Sequence, residues 1–238
     1  MEKQNVPWSH SSERFVLFLD IMGFKERVAR TDFDKMKNEL STLNERWKNR
    51  IKPLKLNGHL KDIEFSDSII VTTDSDNQKC MNLITRAAIS IMQETIKAGF
   101  AMRGAMSHGK FCFDEDRNLY FGQALVDAFL LEEMVDYYGV VVHHSAEKHV
   151  KDYLCDKNND IYFEKTSVQI KDGKVNCYQL NWADMDTKNK YNDNRKQVLS
   201  WLENIEETVS GKPRIYIDNT RSVLEATSHN KKGKEVLL

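Results

Sequence analysis

Phe15-Val16-Leu17-Phe18-Leu19-Asp20-Ile21-Met22-Gly23-Phe24 is the stretch around which the chain is organised. Phe15 to Leu19 are five consecutive apolar residues and predict a short strand buried on both faces. Asp20 stands where that strand should run out, and Gly23 permits a tight backbone turn three residues later. A carboxylate at the end of a buried central strand is costly to desolvate unless it is paired, hydrogen-bonded or bound to a cation. Turn amides facing an anion beside that cation would suit a hard metal ion next to a phosphate, the pairing a nucleoside triphosphate needs. An Asp after a strand also caps ordinary turns, so a second stretch decides.

That stretch is Ile63-Glu64-Phe65-Ser66-Asp67-Ser68-Ile69-Ile70-Val71. Two strand-like runs, His59–Phe65 and Ser68–Thr73, are separated only by Ser66-Asp67, the spacing of a tight β-hairpin. Laid beside the opening strand, this hairpin brings Asp67 to the same end of the sheet as Asp20. Two carboxylates so placed suit a pair of Mg²⁺ or Mn²⁺ ions about 3.5–4 Å apart, an arrangement that serves in-line phosphoryl displacement.

The rest of the chain bounds this reading. Its 238 residues, 40% hydrophobic and 30% charged, are enough for one domain with a proper core, or one domain plus an appendage. A net charge of −1 supplies no field to recruit nucleic acid or an anionic membrane. Cys80, Cys112, Cys155 and Cys177 are widely spaced and read as free thiols of a reducing cytosol, so a cytoplasmic location is expected. Apolar runs of five or six residues are far too short to span a membrane. His143, His144 and His149 do not share a helix face, and no zinc site is expected from them.

Asp32 is expected to cap a helix carrying Phe33, Met36, Leu40, Leu43 and Trp47, with Pro53 and Gly58 in the loop after it. Asp76 is expected to cap a second helix, which Gly99 ends. Phe100–Met106 reads as a strand, Ser107-His108-Gly109 as a bend, and Phe111–Phe113 with Leu119–Phe121 as a hairpin. A third helix over Gly122–Val135 and a strand over Gly139–Val142 follow. The order predicts an α+β fold: a ferredoxin-like βαββαβ core with extra strands, the opening strand central and the helices over one face. Further on, a helix is expected over His144–Tyr153, then short strands at Ile161–Lys165, Val168–Lys171 and Lys174–Leu180. A helix over about 192–209, a brief strand at Ile215-Tyr216-Ile217 and a helix over Arg221–Thr227 complete the expectation. Residues 1–180 are taken as one domain and 181–238 as a C-terminal appendage docked on it.

Several segments resemble the class III nucleotidyl cyclases. Phe18-Leu19-Asp20-Ile21-Met22-Gly23-Phe24 resembles their first metal-binding segment, and Ser66-Asp67 stands where they have a Gly-Asp hairpin turn. Met102-Arg103-Gly104-Ala105-Met106-Ser107-His108-Gly109 resembles their next strand, and Gly122-Gln123-Ala124-Leu125-Val126-Asp127-Ala128 with Leu131-Glu132 the helix that follows. The chain departs from adenylate and guanylate cyclases at Val126 and Leu130, where those enzymes carry an Asn and an Arg. Near Ile63 and Glu64 it also lacks their purine-reading lysine. Its short length, its Arg103-Gly104-Ala105 strand and its Gly-x-Ala-Leu-Val-x-Ala helix instead resemble the pyrimidine nucleotide cyclases of bacterial Pycsar antiphage systems. Those are homodimers whose cyclic UMP or cyclic CMP activates a toxic effector.

The resemblance implies metal binding by Asp20, Asp67 and the Ile21 carbonyl, with two Mn²⁺ or Mg²⁺ ions per site. It implies amides of Met22, Gly23 and Phe24 cradling the β and γ phosphates, and Arg103 as a further cation over the phosphoryl oxygens. It implies a homodimer with its sites at the interface, acting on UTP ahead of CTP. Glu64 bears on that choice: on the inner face of its strand it would suit the amine of cytosine. Period-two alternation, which puts Ile63 and Phe65 together and Glu64 opposite, favours UTP. The alternatives are a cytidylate cyclase and a catalytically silent, nucleotide-sensing dimer module.

Overall fold

The computed structural model describes residues 8–155, 162–183, 195–207 and 209–235, with side chains to Thr227. Its frame is strand β1 (Ser11–Ile21), longer than five residues and unexposed from Arg14 to Leu19. Helices α1 (Phe24–Arg30) and α2 (Phe33–Lys55) lead to the hairpin β2 (Leu60–Phe65) and β3 (Ser68–Thr73). Then come α3 (Gln78–Lys97), β4 (Met102–Asp114), β5 (Leu119–Phe121), α4 (Gln123–Met134), β6 (Val140–Val142) and α5 (His144–Cys155). The hairpin β7 (Phe163–Ile170) and β8 (Gly173–Leu180) and helices α6 (Arg195–Glu206) and α7 (Lys212–Glu235) follow. The sheet runs β2-β3-β1-β4-β6-β8-β7, with β5 on β4. The elements β1, α2, β2, β3, α3 and β4 make the expected βαββαβ core, with β1 central and antiparallel to both neighbours.

Alternation along β1 feeds two cores. Phe15, Leu17, Leu19 and Ile21 join the large cluster with Met36, Trp47 and Ile84. Val16 and Phe18 point the other way, onto Ala124 and Ala128 of α4. The helices therefore cover both faces, not one, because α4 returns beneath the sheet after the β4–β5 turn. Gly104 makes the close β1–β4 approach possible, since a Cβ there would overlap the Leu19 side chain and the Phe18 carbonyl oxygen.

Other boundaries differ from expectation for local reasons. Asp32 caps α2 by accepting from the amides of Asp34 and Lys35, as expected, but Pro53 lies inside the helix rather than in a loop. Asn77, not Asp76, caps α3 by accepting from the Cys80 amide. β4 runs unbroken through Ser107-His108-Gly109, because β1 pairs with it from Ser11↔Cys112 to Ile21↔Met102 and holds it straight. The strands expected at Val168–Lys171 and Ile161–Lys165 merge into β7, with Ile161 outside the described residues. Ile215-Tyr216-Ile217 is helical, within α7, so the expected strand there does not form. Of the helix expected over 192–209, Arg195–Glu206 is α6, and positions 192–194 and 208 lie outside the described residues.

The C-terminal segment is stitched to the sheet. Val223 of α7 packs in a cluster with Val135, Tyr137, Val141 and Val168. The Thr220 hydroxyl accepts from the Tyr138 amide at 2.9 Å, and Asn219 donates to the Asp136 carbonyl at 2.7 Å.

Candidate active site

Asp20 is the penultimate residue of β1, opposite Ser68 on β3 and Arg103 on β4. Ser68 Oγ donates to Asp20 Oδ1 at 3.4 Å. The hairpin turn is tied to the same strand end, since the Ile21 amide donates to the Asp67 carbonyl at 3.1 Å. Closing that turn puts Ser66 at φ +57°, the left-handed region where a glycine would be more comfortable. Immediately after β1, Gly23 takes φ +73° and turns the chain into α1. Sequence and fold thus bring Asp20, Ile21, Gly23 and Asp67 to one end of the central strand.

The electrostatics of this corner are unbalanced. The Asp20 carboxyl is pushed up to about 6, first by burial and then by the charge of Asp67, against the opposing pull of Arg103 and the Ser68 hydroxyl. A half-buried carboxylate facing a second one favours either a proton or a cation. Two hard oxygen donors at a strand end suit a divalent ion such as Mg²⁺ or Mn²⁺, so the residues present fit the expected metals.

Arg103 is not the open cation that the sequence suggests. Its Nε donates to Glu132 Oε1 of α4, and a terminal nitrogen donates to the Val135 carbonyl at 3.0 Å. The Arg103 side chain is 14% exposed and that of Glu132 only 2%. Glu132 is pushed up to about 7, chiefly by burial, with Arg103 opposing and Asp20 adding to the rise. The sequence reading gives Glu132 no role, although a signal is present. Ala124, Ala128 and Glu132 recur every four residues, which aims the carboxylate at the sheet with the two alanines.

Two further expected residues sit differently. The Met22 amide already donates to the Ala101 carbonyl at 2.9 Å, so of the three amides expected to cradle phosphates it is committed elsewhere. Glu64 lies on the α2 side of the sheet, bonded by Asn44 and by Lys48 at 2.5 Å, and is not brought to Asp20. Ile63 packs on the opposite side, with Phe18 and Ile70. Near the site α4 exposes Val126, Phe129 and Leu130, while Phe65 at the hairpin tip is 81% exposed. Among the described residues no helix is long and apolar enough to cross a membrane.

No family model matches the chain, and no curated protein does. Solved structures do. The catalytic core of a rhodopsin-guanylyl cyclase with converted specificity, in complex with ATPαS, aligns over 72% of this chain and 98% of its own, at 16% identity and a TM-score of 0.55. The guanylate cyclase domain of RhGC from Catenaria anguillulae, in complex with GTP, aligns over 73% and 98%, at 15% identity and 0.55. The adenylyl cyclase CyaB from P. aeruginosa aligns over 72% and 96%, at 16% identity and 0.53. At such identities the likeness is one of architecture, and the chain has the α+β fold of the class III nucleotidyl cyclase domains.

Proposed function

We propose that the chain is a nucleotidyl cyclase that converts UTP to 3′,5′-cyclic UMP and diphosphate. The observation that carries the reading is the Asp20–Asp67 corner, where burial, and then the charge of Asp67, keep the carboxyl at the end of the central strand from ionising freely. Such an arrangement costs stability, and a cation-dependent task accounts for it. When bound there, two divalent ions would acidify the ribose 3′-hydroxyl and neutralise charge on the departing diphosphate. Asp20 and Asp67, with the Ile21 carbonyl at the strand end, would supply their oxygens. The chain itself orients the reaction. The hairpin turn is pinned to β1 by the Ile21–Asp67 bond, which holds the backbones that carry the two carboxylates together. The attack is already intramolecular, which makes holding the 3′-oxygen in line with the α-phosphorus the main demand. Gly23 and Phe24 would offer amides to the outer phosphates. Arg103, anchored by Glu132, would lend positive charge without leaving its place.

Preference for a pyrimidine rests on the Pycsar-like segments and on the missing purine-reading lysine. The engagement of Glu64 by Asn44 and Lys48 on the α2 side of the sheet supports UTP over CTP, because its carboxylate would then not meet the exocyclic amine of cytosine. The exposed apolar residues Val126, Phe129 and Leu130 on α4 and Phe65 at the hairpin tip support a homodimer with its sites at the interface. The product would then serve as a second messenger in antiphage defence. A second reading, a silent nucleotide-sensing dimer, is favoured by one observation: Arg103 is already engaged by Glu132 and Val135.

Incubating the purified chain with equimolar ATP, GTP, CTP and UTP and Mn²⁺, and identifying products by mass, tests both. Cyclic UMP as the main product is expected. Cyclic AMP would defeat the pyrimidine assignment, cyclic CMP would change only the base, and nucleotide binding without any product would establish the silent module.

A further inference from the structure

A second group of potential ligands lies on the opposite face of the sheet from Asp20. Asp76 stands in the loop before α3, His108 on β4 and His149 on α5, so three separate elements converge. Their ligating atoms all lie within 4.8 Å of one another. His108 Nε2 is 3.2 Å from Asp76 Oδ2, close to the spacing of two ligands on one tetrahedral ion. The two imidazoles are packed together, centroids 4.2 Å apart, and both rest on Phe15, at 5.4 and 5.1 Å. Phe15 is the residue of β1 paired with His108, five positions before Asp20, which at about 3.3 Å per residue puts the groups roughly 17 Å apart along the strand.

We propose that Asp76, His108 and His149 form a binding site for one transition-metal ion of the Zn²⁺ type, distinct from the carboxylate pair. Two imidazoles and one carboxylate match the donor set of three-ligand zinc sites that keep a fourth position for water. Partial exposure provides that access: the side chains of His108 and Asp76 are 17% and 43% exposed. If His108 donates to Asp76 through Nε2–H in the metal-free protein, metal binding moves that proton to Nδ1 and frees the Nε2 lone pair. The Phe15 ring fixes both imidazole planes, so little reorientation is needed. Once formed, the site would cross-link the β3–α3 loop, β4 and α5, elements otherwise distant in sequence.

The neighbouring His59, Asp74 and Cys80 form a different arrangement. Cys80 Sγ donates to Asp74 Oδ1 at 3.1 Å, Asp74 also meets His59 Nδ1 at 2.6 Å, and burial pushes the thiol up to about 11. A thiol kept protonated and hydrogen-bonded is a poor ligand, which makes this group the natural control.

The test is titration of the untagged, chelator-treated full chain with Zn²⁺ by calorimetry, in excess Mg²⁺ to occupy hard-oxygen sites. Co²⁺ absorption reports the coordination geometry. One ion per chain is expected, with tetrahedral Co²⁺ bands. Asp76→Asn and His149→Phe, the latter keeping a ring on Phe15, should each weaken binding at least tenfold, while Cys80→Ser and Asp67→Asn bind like the wild type. Circular dichroism establishes that each chain is folded. Absence of one-to-one binding, undiminished binding in both ligand variants, or loss in Cys80→Ser or Asp67→Asn would overturn the assignment. Retention in Asp67→Asn makes the metal site independent of whether the chain is a cyclase.

Discussion

Replacing Asp20 with Asn should make the metal-free protein more stable while destroying its activity. The Asp20 carboxyl is raised from 3.8 to about 6 in the folded state. A group raised on folding contributes stability that is fully present below its unfolded value and is lost as pH rises through its folded value. At pH 8 the ionised Asp20 therefore burdens the fold. A rise of that size corresponds to about 3 kcal/mol. Because Asp20 is only half-buried, solvent screening reduces this to about 1–2 kcal/mol. Asn has nearly the same shape and no charge at any pH, so it removes the burden without opening a cavity. Urea unfolding at pH 8 in chelator should show the Asp20→Asn midpoint above that of the wild type with an unchanged slope. Near pH 4 the difference should vanish. Added Mg²⁺ should stabilise the wild type and not the variant, since only the carboxylate pair holds the ion. An Asp20→Asn chain less stable than the wild type at pH 8 without metal would refute the reasoning. It would mean that pairing with Arg103 and Ser68 outweighs burial and the repulsion from Asp67.

Other perturbations carry equally direct expectations. Asp67→Asn should reduce cyclase turnover to background while circular dichroism stays unchanged, because it removes one of two charges holding the ions. Glu132→Ala should destabilise by about 3–5 kcal/mol in a denaturant titration, by leaving the Arg103 charge buried without its carboxylate. Arg103→Met combined with Glu132→Leu should recover most of that stability. Mixing Asp20→Asn chains with Arg103→Ala chains should restore no activity even when heterodimers form, because the two residues face each other across β1 and β4 of the same protomer. Recovery of activity would place their roles on opposite subunits. Gly104→Ala should prevent the β1–β4 approach and abolish folded protein on expression, as read by solubility and circular dichroism.

What can be read directly from the chain is whatever is local. Phe15 to Leu19, the two-residue Ser66-Asp67 turn and the stripe of α2 declare themselves by period and punctuation, and together they define the βαββαβ order. Features decided by distant partners are not legible. Ser107-His108-Gly109 reads as a bend until β1 is seen pairing along its whole length. Helix α1 escapes the sequence reading because none of its seven residues is buried, so it leaves no apolar stripe. Ile215-Tyr216-Ile217 has the composition of a strand. The wider spacing of Ile217, Thr220, Val223, Leu224 and Thr227, all buried, is the signal for a helix. At the site, Asp20 and Asp67 stand out as carboxylates beside apolar runs. Arg103 acquires its partner only through the fold, since Glu132 is 29 residues away.

The contrast between β1 and α1 has a dynamic consequence. β1 is hydrogen-bonded along both edges, so the Asp20 half of the site should be among the slowly exchanging amides of the molecule. α1 fully buries no residue: only Phe24 packs against the core, and Arg27 donates to the Gly99 carbonyl at 2.8 Å and to Glu39 at 2.8 Å and lies over the Phe100 ring. Its amides should exchange faster. Hydrogen exchange should then divide the corner into a stiff jaw and a soft one meeting at Gly23, so that a ligand gripped between them leaves its footprint as new protection over Phe24–Arg30 and almost none over β1.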